Sequence, residues 1–361
     1  MNDRRRPATI LEVARQAGVS KTSVSRYYSG ERERLSGAMR ERIVAAATAL
    51  GYQPNPMARG LKGGPSGLVG MLVADIRNPF SVAIMHGVEQ ACRQAGLSLM
   101  VCNSDNDLEQ ERQQLALLSS YRIEGLVVNA TGRHSDALAQ LADSGTPLVL
   151  LDRSLADVHA DEVGLDNDAA IDMAIAHLRE QGYGRLLFIT EPPAQASSRQ
   201  ARLERFNQRC RDGSLSGDTL VIELGDRQRL DQALARFVDS AGDSRPAILC
   251  ANGQVTLALT RRMKALGYLL GEIGLMGIDE LEWCDLTEPG ITTLAQPTGA
   301  IGQAAVDCLR ARAVGPRQAP QRATFAPTLI PRGSTQPPAN ASVTVEPSSV
   351  SSSSSTSERT S

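Results

Sequence analysis

"ATILEVARQAGVSKTSVSRYYSG", residues 8–30, decides how the chain begins to fold. Thr9 followed three residues later by Glu12 is a capping box, and Ile10, Val13 and Ala14 share one face of the helix it starts. Gly18 permits a tight turn. Ser20 then opens a second helix in which Val24 and Tyr27 or Tyr28 face inward. Lys21, Thr22, Ser25 and Arg26 are left on another side. A third helix starts at Ser36, where "GAMRERIVAAATALGY" supplies the apolar face that closes a three-helix core.

Helix, glycine turn, helix and support helix, with short polar and basic side chains early in the second helix, suit insertion into a DNA major groove. Lys21 can donate to guanine O6 and N7, and Thr22 can meet a base edge or a thymine methyl. Arg26 and the arm Arg4–Arg6 are placed to neutralise phosphates. Thr9, Ser20, Lys21, Thr22, Ser25 and Arg26 are therefore the candidate DNA contacts of this module. A basic three-helix protein-binding module is the competing reading.

Charge supports the DNA reading. Up to Gly64 there are twelve Lys/Arg against five acids, a balance of +7. The other residues carry −9 of the total −2. A small basic module joined to a larger acidic one expects a polyanion at the first and not at the second.

Between them lies "NPMARGLKGG", residues 55–64. Asn55 and Pro56 open a helix well, yet Gly60 sits inside it and Gly63, Gly64 and Pro65 end it within about two turns. Such a helix is too short to be stable alone.

From residue 67 the pattern changes. Runs such as "LVGMLVA", "SLMVCN", "GLVVNA" and "PLVLLD" recur, followed by "LLFIT", "TLVIEL", "AILCAN" and "GLMGID". Helical stretches of about ten to fifteen residues separate most of them, the βαβ signature of a parallel sheet covered on both faces. The run divides near Asp166–Asn167, and one more helix, 298–312, follows "ITTLAQP". Two doubly wound lobes with crossing connections fit this better than one very wide sheet. The expected organisation is an arm over 1–7, a helix-turn-helix domain over 8–53 and a hinge and linker over 54–66. A core over 67–333 follows, with an N-lobe of 67–166 and 297–333 and a C-lobe of 167–296. Residues 334–361, rich in Ser, Pro and Thr and free of leucine heptads, read as a disordered tail.

In doubly wound lobes a ligand sits at the carboxyl ends of the strands. Asp75 with "RNPF", Asp152–Arg153, "SSRQARLERF", Asn252, Asp279 and Gln296 all fall there. Taken alone, a strand-end Asp or Asn more often caps the next helix, so it is their recurrence that marks a site. Arg77, Arg153, Arg199 and Arg202 lie on these segments, and guanidinium groups pair bidentately with carboxylates, which favours an acidic effector such as a sugar acid. Trp283, just past Asp279, is placed either to stack on a sugar face or to pack between lobes.

No enzyme is expected. His86, His134, His159 and His177 are isolated, "GLKGGPSG" lacks the P-loop order, and no GxSxG occurs. Neither cofactor nor metal is implied. The six cysteines are scattered without CxxC, as reduced core thiols of a cytoplasmic protein. No secretory signal and no bilayer-spanning run appears, so no membrane partner is expected.

The stretch "ATILEVARQAGVSKTSVSRYYSG…SGAMRERIVAAATALGYQPNPMARGLKGG" closely resembles the LacI/GalR transcription regulators, and the likeness continues to about residue 333. The resemblance implies an all-α helix-turn-helix headpiece on a periplasmic-binding-protein-like α/β core, and a homodimer on a pseudo-palindromic operator. It implies that 55–62 is a hinge helix ordered on operator DNA, with Leu61 as the minor-groove wedge and Ala58 small enough for close approach. Gly60, worth about 1 kcal/mol against alanine in a helix, keeps that ordering dependent on DNA and partner. Arg202 matches the family's effector-holding arginine, Asn252, Asp279 and Gln296 match other effector-lining positions, and Phe80 matches the side chain that covers the ligand. "GIDELEW…GITTLAQPT" with "SSRQAR" further resembles 2-ketogluconate-responsive repressors of pseudomonad type.

Three departures stand out: a loop "YSGERERLSG" one residue longer than usual, Gly253 in place of an acid, and Arg205 in place of a glycine. A sugar-binding receptor without DNA function, or a corepressor-type regulator with another ligand, are the alternatives. The first leaves the basic headpiece unexplained.

Overall fold

The computed structural model describes residues 6, 8–53, 66–129, 136–155, 157–213, 216–314 and 319–336. Arg4, Arg5, the hinge candidates Asn55, Ala58 and Leu61, His134 and the tail from 337 lie outside them.

The first module is three helices, α1 (Ile10–Ala17), α2 (Lys21–Tyr28) and α3 (Gly37–Leu50). Each starts on a hydroxyl cap, because Thr9, Ser20 and Ser36 accept from the N–H groups of Glu12, Ser23 and Met39. Gly18, at φ 61°, turns the chain in the left-handed region between α1 and α2. Val13, Ala14, Ala17, Val24, Leu35, Ile43, Ala46 and Ala47 form the core, with both Tyr27 and Tyr28 packed on its edge.

The chain then builds two compact units from interleaved segments. The first takes everything up to Ala169, then Pro192–Arg202 and Gln296–Pro327, and the second takes Ala170–Glu191, Leu203–Ala295 and the chain from Thr328. In the first unit β1 (Leu68–Val73), β2 (Ser98–Asn103), β3 (Gly125–Val128), β4 (Leu148–Leu151), β5 (Asp161–Leu165) and β11 (Arg322–Phe325) form one sheet in the order β11-β5-β4-β3-β1-β2. Every pairing in it is parallel.

Helices α4 (Pro79–Gln94) and α11 (Thr298–Val314) bury Ile84, Val88, Ile301, Ala305 and Leu309 on one face of this sheet. Helices α5 (Leu108–Ser120) and α6 (Asp136–Asp143) cover the other with Leu115, Leu118 and Leu138. Burial on both sides is why the strands read as continuous Val/Leu runs.

The second unit has β6 (Arg185–Thr190), β7 (Gly217–Val221), β8 (Pro246–Cys250), β9 (Gly274–Ile278), β10 (Thr292–Ala295) and β12 (Thr328–Ile330) in the order β12-β10-β9-β8-β6-β7. It is parallel except for the antiparallel edge strand β12. Helices α9 (Arg227–Asp239) and α10 (Gly253–Leu266) pack Leu230, Leu234, Phe237, Val255, Leu259 and Met263 against it. Helix α7 (Asn167–Glu180) buries Ile171, Ala174 and Leu178, and Phe206 of α8 (Ser197–Arg211) stacks on Phe188 of β6 with ring centroids 5.2 Å apart.

Several boundaries differ from the sequence expectation. The strands β5, β11 and β12 were not foreseen. The stretch 297–333 does not stay in one lobe, because β12 pairs with β10 and carries the chain from Thr328 into the second unit. Residues 192–202 belong to the first unit rather than to the C-lobe, and the division falls after Ala169. Ser334 and Thr335, read as the start of a disordered tail, are fully buried. Ser334 Oγ donates to Leu275 O at 2.6 Å and accepts from Thr292 N at 2.8 Å, while Thr335 Oγ1 is hydrogen-bonded to His177 Nε2 at 2.8 Å. Their composition is that of a tail, but the Ser334 hydroxyl bonds backbone groups of β9 and β10, and the Thr335 hydroxyl bonds the side chains of His177 and Thr292.

Candidate DNA-contacting face and effector site

On α2, Lys21, Thr22 and Arg26 are exposed and Ser25 is half-buried, while Val24 points into the core. This is the separation of faces that the sequence expects. Thr9 and Ser20 are engaged by their own helices: Thr9 Oγ1 donates to Glu12 Oε2 at 2.9 Å, and Thr9 N donates to the same oxygen at 2.6 Å. Ser20 Oγ accepts from Ser23 N at 3.0 Å. The Thr9 backbone and side-chain hydrogen bonds hold the Glu12 carboxyl below its usual pKa.

In the first unit the strand ends bring together Asp152, Arg202, Asn167 and Ser198. Arg202, only 3% exposed, donates from Nε to Asn167 Oδ1 at 2.7 Å. Its Nη2 lies 4.0 Å from Asp152 Oδ1. Asp152 follows β4 with φ 65°, a strained conformation for a residue with a side chain. Its Oδ2 accepts from Ser198 Oγ at 3.2 Å, and among the described residues its buried Oδ1 accepts no hydrogen bond. A cavity of about 50 Å³ opens here, lined by Asp152, Arg153, Ser154, Asn167, Ser197 and Ser198 among others.

The rest of the first unit's candidates are more dispersed. Asp75 accepts from the N–H and Nε of Arg77 at 2.9 and 3.0 Å, and Arg77 reaches Asp105 at 2.7 Å, so this arginine already faces two acids. Phe80 is buried in the first turn of α4, where Asn78 caps its N–H at 3.1 Å. Arg153 and Arg199 donate to the carbonyl and side-chain oxygens of Gln195 at 3.4 and 3.2 Å. Gln296, half-buried, follows β10 directly.

The second unit repeats the strand-end logic. Asp279, after β9, has φ 87° and accepts from Gly253 N at 2.9 Å. Asn252 caps α10 by accepting from Gln254 and Val255, both at 3.0 Å, and donates to Glu191 Oε2 at 2.9 Å. A Cβ at Gly253 would lie 2.6 Å from Leu281 Cδ1, the end of a side chain that would have to shift. Trp283 is half-buried against this unit's core. Arg205 turns away to α7, where it and Arg209 hydrogen-bond Asp172. Burial pushes the Asp172 carboxyl up, but the bonds from the two arginines outweigh it and hold it below the usual range.

Sequence reasoning did not single out Asn167, Ser198 or Glu191, the groups that orient Arg202, Asp152 and Asn252. Asn167 and Ser198 lie in stretches already noted, and their position at helix starts next to strand ends is the one signal available. The cysteines are all free, and burial pushes Cys250 up to about 12, which makes it inert.

A basic recognition helix on one module, and buried polar strand-end residues on two doubly wound units, define a DNA-binding regulator under small-molecule control. The chain belongs to the LacI family of bacterial regulatory proteins. Residues 9–55 match that family's description, "Bacterial regulatory proteins, lacI family", and residues 175–335 match "Periplasmic binding protein-like domain". It is 48% identical over 331 residues to the HTH-type transcriptional regulator PtxS of Pseudomonas aeruginosa, covering 91% of this chain and 96% of that one. It is 38% identical over 329 residues to the HTH-type transcriptional regulator KdgR of Bacillus subtilis, covering 90% and 97%. These relatives are transcriptional regulators and not enzymes. A crystal structure of the lac repressor dimer bound to operator and the anti-inducer ONPF shares the fold, with a TM-score of 0.79 at 24% identity over 92% of this chain and all of that one. No helix among the described residues is long and apolar enough to cross a membrane.

Proposed function

We propose that this regulator is a cytoplasmic homodimeric repressor that holds a pseudo-palindromic operator and is released from it by a small acidic sugar, with 2-ketogluconate as the assigned effector. Lys21, Thr22 and Ser25 read bases, and Arg26, Thr9 and Ser20 sit against the backbone. Asn55, Ala58 and Leu61 are assigned to the minor groove on the strength of the family resemblance. Effector contact is assigned to Asp75, Phe80, Asp152, Arg202 and Gln296 in the first unit, and to Asn252, Asp279 and Trp283 in the second.

The observation that carries the effector reading is the buried Arg202–Asp152 pair. A guanidinium 3% exposed has lost most of its hydration and gains strongly from a bidentate anion. The Asp152 oxygen beside it, which accepts no hydrogen bond among the described residues, is matched to a sugar hydroxyl. One ligand carrying both a carboxylate and hydroxyls meets both needs.

Calorimetric titration with 2-ketogluconate, gluconate and a neutral hexose tests it. The ketogluconate is expected to bind tightest. Tighter binding of the neutral sugar would refute the acid-effector assignment.

A further inference from the structure

Three neighbouring strands of the second unit end in polar groups that are bonded in a row. Glu191 follows β6, Asn252 follows β8 and Asp279 follows β9, and β8 lies between the other two in the sheet. Asn252 Nδ2 donates to Glu191 Oε2 at 2.9 Å, and Gly253 N, one residue on, donates to Asp279 Oδ2 at 2.9 Å. Asn252 and Asp279 are 9% and 6% exposed and Glu191 is half-buried, so a charge brought among them is poorly screened.

The hydrogen bonds of Asn252 fix what it can offer a ligand. Its Oδ1 accepts from the N–H groups of Gln254 and Val255, both at 3.0 Å, which occupies both lone pairs. Its Nδ2 gives one of two N–H groups to Glu191. Turning the amide over would set its NH2 against two N–H donors and its oxygen against a carboxylate. Glu191 therefore holds the amide in one orientation, and the remaining N–H is a donor only.

Glu191 and Asp279 are acceptors as carboxylates. A donor flanked by acceptors is complementary to a hydroxyl, which accepts through its oxygen and donates its hydrogen. A second carboxylate is a poor match, because it only accepts and brings another negative charge beside the two already there. The first unit offers the reverse chemistry, since its buried Arg202 suits an anion.

We propose that Glu191 is a specificity-determining residue of the effector site: the second unit's strand ends take the hydroxylated end of a sugar monocarboxylate and reject a sugar acid that carries a carboxylate at both ends. Glu191 acts in two ways, by holding Asn252 as a donor and by repelling the second carboxylate with its own charge. The ligand class thereby narrows from acidic sugars to aldonic and ketoaldonic acids, with aldaric acids excluded. The inference rests on the effector role given above to Asn252 and Asp279.

The test is calorimetric titration of the full-length protein with 2-ketogluconate and with glucarate, which has a carboxylate at each end, for the unaltered chain, Glu191→Gln and Glu191→Asp. Glu191→Gln removes the charge and keeps an oxygen that can accept from Asn252 Nδ2. Thermal melts report whether each variant folds as the unaltered chain does. The readout is the ratio of the two affinities, because a general loosening of the site weakens both ligands and leaves the ratio in place. The unaltered protein should favour 2-ketogluconate over glucarate by roughly tenfold or more, since like charges brought together in a binding site cost heavily. Glu191→Gln should cut that preference at least about threefold through a gain in glucarate affinity, and Glu191→Asp, which keeps the charge, should retain it. Glucarate binding the unaltered chain as tightly as 2-ketogluconate, or a folded Glu191→Gln protein with an unchanged ratio, overturns the specificity role and leaves the effector reading intact. Failure of 2-ketogluconate to bind the unaltered protein overturns the effector reading itself.

Discussion

Gly302 on α11 has no room for a side chain: a Cβ there would lie 2.4 Å from Gly87 C and 2.5 Å from Val88 N. Gly87 on α4 is as tight, with its Cβ position 2.4 Å from Thr298 O. These obstacles are backbone atoms, so no rotamer change relieves them, and the two helices must move apart. Gly302→Ala is expected to destabilise by about 1–3 kcal/mol, seen as a lower urea midpoint with an unchanged denaturant slope. Nothing in the sequence marks this contact, because two glycines distant along the chain carry no pattern until the fold opposes them. The strand-end residues are the reverse case. Asp152 and Asp279 were legible from their place after apolar runs, but their positive φ and their partners Ser198 and Gly253 were not, since those depend on how loops return to the sheet.

Helix α1 illustrates an element almost fully written in local sequence: the capping box read from Thr9 and Glu12 is present in both directions. Thr9→Ala removes the acceptor for Glu12 N and is expected to lower headpiece stability by about 1 kcal/mol in thermal melts followed by circular dichroism. The associated pH effect follows from Glu12, whose carboxyl is held below the ordinary 4.5 by the Thr9 hydrogen bonds. A depressed carboxylate stabilises the fold above its unfolded value, and that contribution is lost as pH falls through the folded value. Thr9→Ala should therefore melt with a weaker pH dependence below about 4.5 than the unaltered headpiece.

Strand β5 shows where local reading fails. "DEVGL" breaks the apolar run because Asp161 is buried at its start, where it pairs with Arg312 at 2.6 Å and accepts from Gln321 N at 2.8 Å. Strands β11 and β12 are only four and three residues long, and partly exposed, so they lack the apolar density of interior strands. The same blindness hid Ser334 and Thr335. A chain ending after residue 336 should melt with the full-length protein, whereas one ending after residue 332 should melt several degrees lower, because Thr292 N and Leu275 O lose their buried partner.

At the scale of the whole molecule, composition alone separated a basic reader of DNA from an acidic ligand-binding remainder, and charge is a property that survives any error in element boundaries. What composition does not contain is the coupling between the two functions. If effector and operator favour different states of one protein, the factor by which effector weakens operator binding must equal the factor by which operator weakens effector binding. Arg202→Ala tests this from one side. The guanidinium is buried on Asn167 and beside Asp152, far along the chain from the recognition helix, so its loss should abolish calorimetric binding of 2-ketogluconate and leave operator affinity without effector within about twofold. Leu61→Ala tests it from the other side, lowering operator affinity while keeping effector affinity in the absence of DNA. Each variant should also erase the mutual weakening, since one ligand of the pair no longer distinguishes the two states. An Arg202→Ala protein still released from operator by 2-ketogluconate would show that the effector is read elsewhere.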